Sequence, residues 1–300
     1  MPPQDRTADR LLDYVTPFVT RAPGTFGRDT PVPRLRVWSS TRTTPPTPAM
    51  FKPMFYAVLR GSKMLTIGGR EFELAAGRCM ASSFGLPYVG ALAGASSAAP
   101  YVALSLDLDV DLLVDVMLDM PKGDDRWVCS AAAGDLEGSV GEAFARLVGL
   151  VASPEARPVL GRPFEIELYY RLLQSPMGDT LRQLGQRDGR LRQIKTAADW
   201  LVAHQDKPLA VSALAASVGM SLTSFHRHFK AVTGYSPLAF QRHIRLLEAR
   251  RLLAAGGMTV SSVAYAVGYV SPSQFSREYK TTFGTPPVTD QARPDRRLAG

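Results

Sequence analysis

The sequence predicts an α+β protein in which a small antiparallel β-barrel with accessory helices precedes an all-helical domain. Short runs of alternating apolar and polar residues, broken by glycine, extend from Phe51 to Leu106. Apolar residues with helical spacing replace these runs after Asp109. One sequence pattern then occurs twice after residue 194, which predicts a duplicated helical unit.

The β-barrel is predicted from strands that end at short turns. Phe55–Leu59 and Met64–Ile67 are typical of strands, and Gly68-Gly69 then favours a two-residue hairpin turn. A second turn is expected at Ala76-Gly77, and Tyr101–Leu106 completes the set. Several short strands at this spacing indicate a small barrel or jelly roll.

The rest of the chain divides by composition. Residues 21–48 are rich in Pro, Thr and Gly and predict an extended arm. Helices are expected over 112–120, 140–151 and 163–184. The expected organisation is an N-terminal arm (1–48), the barrel with its helices (49–185), a linker (186–193), the helical domain (194–290) and a tail (291–300).

The positive charge of the chain is concentrated at its C-terminal end. The net charge is +8, and residues 195–300 hold 13 basic and six acidic residues, a net +7. A basic domain joined to a nearly neutral one is typical of a polyanion-binding protein, and a solvated basic face is the alternative. Two cysteines and no apolar run of membrane-spanning length predict a cytoplasmic protein without a disulfide framework.

The repeat consists of residues 211–237 and 260–287. Its residues match at an offset of 49 up to Gly219 and Gly268, and at an offset of 50 from Ser221 and Ser271 onward. Each copy has a short helix, a glycine for a tight turn, a serine that can cap the next helix, and two aromatic residues four positions apart. Another glycine and a proline end the copy.

This order of features predicts a helix-turn-helix, whose second helix enters the major groove of DNA. The segment between the copies, 237–254, predicts a connecting helix. At about 1.5 Å per residue it spans about 27 Å. That length is close to one turn of B-DNA, roughly 34 Å, so the two units are expected to occupy successive major grooves on one face.

The helical domain resembles the AraC/XylS family of transcriptional regulators. The resemblance rests on GMSLTSFHRHFKAVTGYSP, on RLLEARRLL and on VAYAVGYVSPSQFSREYKTTFGTPP, and it covers about residues 194–290. The region 55–106 also resembles the N-terminal domain of one subgroup, at Gly61-Ser62-Lys63, Leu86-Pro87, Ala95-Ser96 and residues 100–106. The resemblance implies a cupin-like N-terminal domain of the kind that binds a small effector or forms dimers.

Helical phase, combined with the resemblance, selects the candidate DNA-reading residues. In the first recognition helix they are Thr223, His226, Arg227 and Lys230. Arg227 is the expected base reader, because a guanidinium group pairs with two acceptors of guanine. In the second helix they are Ser273, Gln274, Ser276, Arg277 and Lys280, and Pro272 at its start is also a good first helical residue. Lys230 and Lys280 suit phosphates.

Other basic residues of the helical domain have less specific expectations. His228 is expected to be solvated. The resemblance implies a structural role for Arg245 on the connecting helix. We expect the other arginines of this helix to contact either phosphate or solvent only: Arg242, Arg250 and Arg251.

The barrel offers candidates for an effector pocket but none for a metal. All four histidines, His204, His226, His228 and His243, lie in the helical domain, so no metal and no cofactor are expected. The candidate pocket residues are apolar or aromatic, and the alternative for each is an ordinary core position: Phe55, Tyr56, Met64, Phe72, Met80 and Tyr101. Arg60 and Lys63 suit an acidic effector but lie at a predicted turn. Redox sensing by Cys79 or Cys129 stays open.

Three functions fit these observations. The first is a sequence-specific, effector-responsive transcriptional regulator, not an enzyme, whose partners are double-stranded promoter DNA, a small molecule, a second copy of the chain and RNA polymerase. The second is a regulator without an effector, whose barrel only forms dimers. The third is a cupin-type enzyme with a DNA-binding appendage, which the missing barrel histidines disfavour.

Overall fold

The strands form two antiparallel sheets in the computed structural model, which describes residues 7–20, 22, 24–121, 128–185 and 189–291. In chain order the strands are β1 (Thr25–Asp29), β2 (Leu35–Ser40), β3 (Thr44–Met50), β4 (Met54–Arg60), β5 (Ser62–Ile67), β6 (Arg70–Ala75), β7 (Arg78–Ser82), β8 (Pro87–Ala93), β9 (Tyr101–Asp107) and β10 (Ala131–Asp135). The first sheet has the order β1-β2-β9-β4-β7-β10, and the second has the order β3-β8-β5-β6. The predicted β-rich N-terminal domain is confirmed.

The predicted turns are present, but the predicted arm is not. Ile67 pairs with Arg70 across the turn at Gly68 and Gly69, and both glycines have positive φ. The segment expected to be an extended arm instead contributes β1, β2 and β3. β2 pairs with β9 in the middle of the first sheet, and β3 pairs with β8. Composition misled here, because proline is tolerated in an edge strand such as β3.

The helices of the N-terminal domain cover one face of the first sheet. They are α1 (Thr7–Val15), α2 (Val110–Leu118), α3 (Gly138–Gly149), α4 (Arg157–Gln174) and α5 (Gly178–Gly185), with 3-10 turns at Thr16–Phe18 and Leu150–Ala152. α1 belongs to the core of this domain, which also contradicts an N-terminal arm. The single helix expected over 163–184 is interrupted between Gln174 and Gly178.

The C-terminal domain is helical throughout its described part. Its helices are α6 (Gly189–Ala203), α7 (Val211–Ser217), α8 (Leu222–Thr233), α9 (Pro237–Ala255), α10 (Val260–Ala266), α11 (Pro272–Phe283) and α12 (Pro287–Gln291). The expected linker is therefore shorter than predicted, because residues 189–193 already belong to α6. Residues 186–188 of that linker, and 292–300 of the predicted tail, lie outside the described residues. None of the helices in the described ranges is both long and apolar enough to cross a bilayer.

Three hydrophobic clusters stabilise the fold. The first joins the helix-covered face of the six-stranded sheet to α1–α5, for example where Phe55 meets Phe144 edge-to-face with centroids 5.0 Å apart. The second fills the space between the two sheets and continues into the first repeat, with Phe225 and Phe229. The third is the core of the second repeat, around Phe275.

The second cluster continues from the two sheets into the first repeat. The first repeat therefore lies directly against the N-terminal domain with its two sheets (the β-domain). The Ser130 amide donates to the Val232 carbonyl over 3.1 Å, and the Tyr235 hydroxyl donates to the Pro87 carbonyl over 3.2 Å. Gly68 and Gly234 approach so closely that a Cβ on Gly68 would lie 2.3 Å from the Gly234 Cα. The two domains are thus in contact through backbone as well as side chains.

Candidate nucleic-acid interface

The first repeat forms a helix-turn-helix from α7 and α8. Gly219 takes φ of 71° in the turn, where its missing Cβ avoids left-handed strain. Ser221 caps α8 by accepting a hydrogen bond from the Ser224 amide. Gly234 ends α8 in the left-handed conformation, and its amide donates to the Lys230 carbonyl.

The second repeat has the same construction in α10 and α11. Gly268 has φ of 87°, Ser271 caps α11 through the Gln274 amide, and Gly284 ends it with φ of 73°. The Gly284 amide donates to the Lys280 carbonyl, as Gly234 does to Lys230. The offset of 50 residues in the sequence therefore corresponds to equivalent turns and caps in the structure.

The face of α8 that was predicted to read DNA is exposed. Phe225 and Phe229 are fully buried. Every predicted reader of this helix is exposed on its other side: Thr223, His226, Arg227 and Lys230. The expectation for His228 is wrong, because this residue is buried and its Nε2 lies 3.3 Å from Nη2 of Arg227.

The corresponding face of α11 is also largely exposed. Phe275 and Tyr279 point into the core of the second repeat. Ser276 is half-buried, and the remaining predicted contacts are exposed: Ser273, Gln274, Arg277 and Lys280. Gln274 Nε2 donates to Glu278 Oε1 over 3.0 Å, so this amide is already held on the helix surface. The backbone of α11 also lies close to that of β3 in the N-terminal domain.

The connecting helix α9 separates the arginines into structural and surface residues. Arg245 donates to the carbonyls of Gln205 and Lys207 over 2.5 and 2.9 Å, which confirms the structural role implied by the resemblance. Arg250 is buried over the Phe283 ring and beside the Asp290 carboxylate, so the expectation of phosphate or solvent contact is wrong for it. The remaining two, Arg242 and Arg251, are exposed.

A groove of about 640 Å³ lies between α9 and α11 and was not predicted from the sequence. Its lining combines two arginines, a histidine and hydroxyl groups: Arg242, His243, Gln274, Arg277, Glu278, Thr281 and Thr282. Burial lowers the pKa of His243, which also contacts the Ala239 carbonyl through Nδ1. Arg277 thus belongs both to the exposed face of α11 and to this groove.

The predicted effector residues lie on different sides of the β-domain. Tyr56, Met80 and Tyr101 belong to the cluster between the sheets, and Phe72 packs against it while partly buried. Phe55 faces the helices instead, and Met64 is exposed on the outer side of its sheet. These two residues do not line the interior, which corrects the prediction, because neighbouring strand residues alternate between faces.

The two cysteines differ in their surroundings. Cys79 is fully buried, and burial raises the pKa of its thiol to about 12. Cys129 is partly exposed. A thiol with such a high pKa is almost entirely protonated at neutral pH, which disfavours a sensor role for Cys79.

Comparison with known proteins identifies the family. The model of the AraC-type transcriptional regulator N-terminus matches residues 31–180, and a helix-turn-helix domain model matches residues 214–293. The chain belongs to the AraC/XylS family of transcriptional regulators. The members of this family are transcriptional regulators.

Curated transcriptional regulatory proteins match part of the chain. The probable thc operon regulatory protein of Rhodococcus erythropolis is 34% identical over 167 residues, which are 52% of this chain and 50% of that protein. The transcriptional activator RhaS of Salmonella schwarzengrund is 30% identical over 100 residues, 33% of this chain and 35% of RhaS. The chain thus spans half or less of the length of these relatives.

Solved structures of ToxT from Vibrio cholerae share the fold. ToxT K231A from Vibrio cholerae matches with a TM-score of 0.54 at 12% identity, covering 88% of this chain and 99% of ToxT. Wild-type ToxT with a bound unsaturated fatty acid matches with a TM-score of 0.52 at 12% identity, covering 86% and 94%. The order of a β-domain followed by a helical domain is therefore one that solved structures already contain.

Proposed function

We propose that the chain regulates transcription by reading two adjacent major grooves with α8 and α11, in response to a small molecule bound between its two sheets. The observation that carries the proposal is the duplicated helix-turn-helix with an exposed polar face on both recognition helices. The 19 residues of α9 span about 28 Å, which is close to one turn of B-DNA.

The exposed side chains of α8 suit base recognition near its start and phosphate contact near its end. Arg227 offers a planar group that pairs with O6 and N7 of guanine, and His226 and Thr223 offer single hydrogen bonds. Lys230 lies in the last turn, where a flexible ammonium group suits a phosphate. We expect Arg227 to contribute most of the sequence preference of this helix.

The exposed side chains of α11 favour a weaker contribution to sequence preference. Ser273 and Ser276 are short, and Gln274 is held by Glu278. Arg277 is the guanidinium group at the position equivalent to Arg227, and Lys280 is the counterpart of Lys230. We propose that α11 contacts the DNA backbone at least as much as the bases.

Selection of preferred DNA from a random pool, with the full-length protein at physiological salt, tests this proposal. We expect an enriched motif of two short elements about one helical turn apart. Salt-sensitive binding without any enriched motif would contradict sequence-specific reading, because phosphate contacts alone are independent of sequence.

Substitutions then assign the readers. Arg227→Ala is expected to weaken binding to the selected motif by about 1–3 kcal/mol and to relax the preference at one base pair. Lys230→Ala is expected to weaken binding to all sequences similarly and to reduce the salt dependence. Lys52→Ala is the control, since Lys52 is an exposed cation of the β-domain and lies outside both repeats. Unchanged affinity and preference in Arg227→Ala would refute its assignment.

The effector and the dimer belong to the same proposal. Tyr56, Tyr101 and Trp38 place hydroxyl and indole groups in or beside the space between the sheets, and a few polar groups among apolar side chains suit a small-molecule site. The shared fold with ToxT, crystallised with a fatty acid, supports an effector for this domain. A regulator whose β-domain only forms dimers is the alternative, and it predicts that no small molecule raises the melting temperature.

A further inference from the structure

Lys63 is an inward-facing cation between the two sheets. Along β5 the residues at alternate positions, Leu65 and Ile67, are buried in the interior cluster, whereas Met64 is exposed. Because side chains alternate along a strand, Lys63 lies on the same inner face as Leu65. The turn predicted at Lys63 from the sequence is thus a strand, and the turn itself is at Gly61.

Tyrosine side chains from both sheets surround this ammonium group. Lys63 Nζ lies 4.7 Å from the ring centroid of Tyr56 and 5.2 Å from that of Tyr88. The hydroxyls of Tyr56 and Tyr101 are 2.7 Å apart, and both residues are almost completely buried. Lys63 therefore contacts aromatic faces and stands beside a hydrogen-bonded pair of hydroxyl groups.

Gly90 permits this arrangement. It lies opposite Leu65 in the pairing of β5 with β8. A Cβ at Gly90 would lie 2.9 Å from the Tyr88 ring and 3.3 Å from Lys63 Cε, so any larger residue would displace them. The close approach of Lys63 and Tyr88 thus depends on a missing side chain.

Among the residues that the structure describes, the charge of Lys63 has aromatic neighbours but no carboxylate. Burial lowers its pKa, and Tyr56 and Tyr88 raise it by more, so the ammonium group stays protonated. Within the ranges that the structure describes, no ion pair includes Lys63. Lys63 is half-buried, and a cation beside apolar and aromatic surface is stabilised by an anion brought next to it, because the local dielectric constant is lower than that of water.

We propose that the effector is an organic acid whose carboxylate pairs with Lys63. Its carboxylate accepts a hydrogen bond from the hydroxyl pair of Tyr56 and Tyr101, and its apolar body lies against the half-buried ring of Tyr88. This inference rests on the proposed function and names the chemical class of its effector.

The strands that form the site also carry the contacts to the first helix-turn-helix. β5 holds Lys63 and leads directly to Gly68, which meets Gly234. β8 holds Tyr88 and begins at Pro87, whose carbonyl accepts from Tyr235. A ligand that shifts Lys63 or Tyr88 therefore acts on the two strands against which α8 ends.

Thermal melting of the full-length protein with matched acids and amides tests this proposal. The probes are phenylacetate, indole-3-acetate and decanoate, each compared with its neutral amide at equal concentration and pH 7.5. We expect at least one acid to raise the melting temperature by several degrees while its amide raises it much less. No acid exceeding its amide would overturn the proposal.

Two variants connect the effect to Lys63. Lys63→Met keeps the length of the side chain and is expected to abolish the difference between acid and amide. Lys52→Met removes an exposed lysine of the same domain and is expected to keep it. Persistence of the difference in Lys63→Met would overturn the assignment. If Lys63→Met does not fold, the comparison of acid with amide in the wild-type protein still tests whether the effector site prefers an acid.

The melting experiment tests the acidic class of the effector, and the DNA selection tests the proposed regulatory function separately. Stabilisation by amides as strongly as by acids, together with an enriched DNA motif, overturns only the acidic class of the effector. Loss of any enriched motif contradicts the proposed function, whatever the melting temperatures show.

Discussion

The contact between Gly68 and Gly234 makes a direct prediction about how the two domains are held together. Gly234 and Gly284 end the two recognition helices with φ of 79° and 73°, so alanine at either position has the same left-handed strain, about 1 kcal/mol. Their surroundings differ. A Cβ at Gly284 meets nothing within 4 Å, whereas a Cβ at Gly234 would lie 2.7 Å from the Gly68 Cα.

Gly234→Ala is therefore expected to separate the first helix-turn-helix from the β-domain. The contact includes the hydrogen bonds from Ser130 to Val232 and from Tyr235 to Pro87. At about 1 kcal/mol each, their loss adds about 2 kcal/mol to the strain that both variants share. The total for Gly234→Ala is about 3 kcal/mol, against about 1 kcal/mol for Gly284→Ala.

Differential scanning calorimetry of the full-length protein measures this difference. For a cooperative unit of more than about 150 residues, 1 kcal/mol corresponds to roughly 2–4 °C in melting temperature. We expect Gly284→Ala to lower the transition by that amount, and Gly234→Ala to lower it further and to split the domains into separate transitions. Gly68→Ala and Gly69→Ala form a second matched pair, because a Cβ at Gly69 meets nothing within 4 Å. Equal shifts within each pair would refute the contact in solution.

Three further predictions concern single groups. Asp290→Ala removes the carboxylate beside buried Arg250, at 3.4 Å, and should destabilise the second helix-turn-helix by about 3 kcal/mol in urea unfolding; a loss below 1 kcal/mol would contradict this. Burial lowers the pKa of His243. As the pH falls below 6.5, the unfolded chain therefore binds a proton before the folded chain does, and the free energy of unfolding should decrease. The decrease should be smaller in His243→Asn. Iodoacetamide at pH 8 should label Cys129 and spare Cys79, whose thiolate fraction is about 10⁻⁴ at a pKa of about 12; mass spectrometry of the native protein decides.

The helix-turn-helix units were predictable because their signals are local. A cap such as Ser221 and a terminating glycine such as Gly234 act within one turn of the helix, and the repeat provides the same signals twice. Helical phase also predicts which side of α8 carries Arg227, since its apolar side must face a core.

The β-domain was predictable as a class but not in its extent. β3 contains three prolines, and β10 is an alanine-rich run without alternation, so neither has the pattern of a strand. Both are edge strands, where a missing ladder hydrogen bond or a weak side-chain preference is tolerated. Their strand conformation depends on pairing with β8 and β7, which are distant in sequence.

The candidate effector site shows the same limit at single residues. Phe55 and Tyr56 are adjacent and both buried, yet only Tyr56 faces the space between the sheets, and Met64 beside Lys63 faces outward. A sheet covered on both faces removes the alternation of polar and apolar residues that would otherwise reveal direction. Sequence reasoning therefore included Phe55 and Met64 and placed Lys63 in a turn.

The sequence by itself determined the family, the two helix-turn-helix units and the exposed faces of their second helices, because capping, phase and repetition act over a few residues. The tertiary structure alone decided that His228 and Arg250 are buried, that Lys63 points between the sheets, and that Gly68 meets Gly234. Each of these depends on elements far apart in the chain, and the packing that brings them together also sets the direction of each side chain.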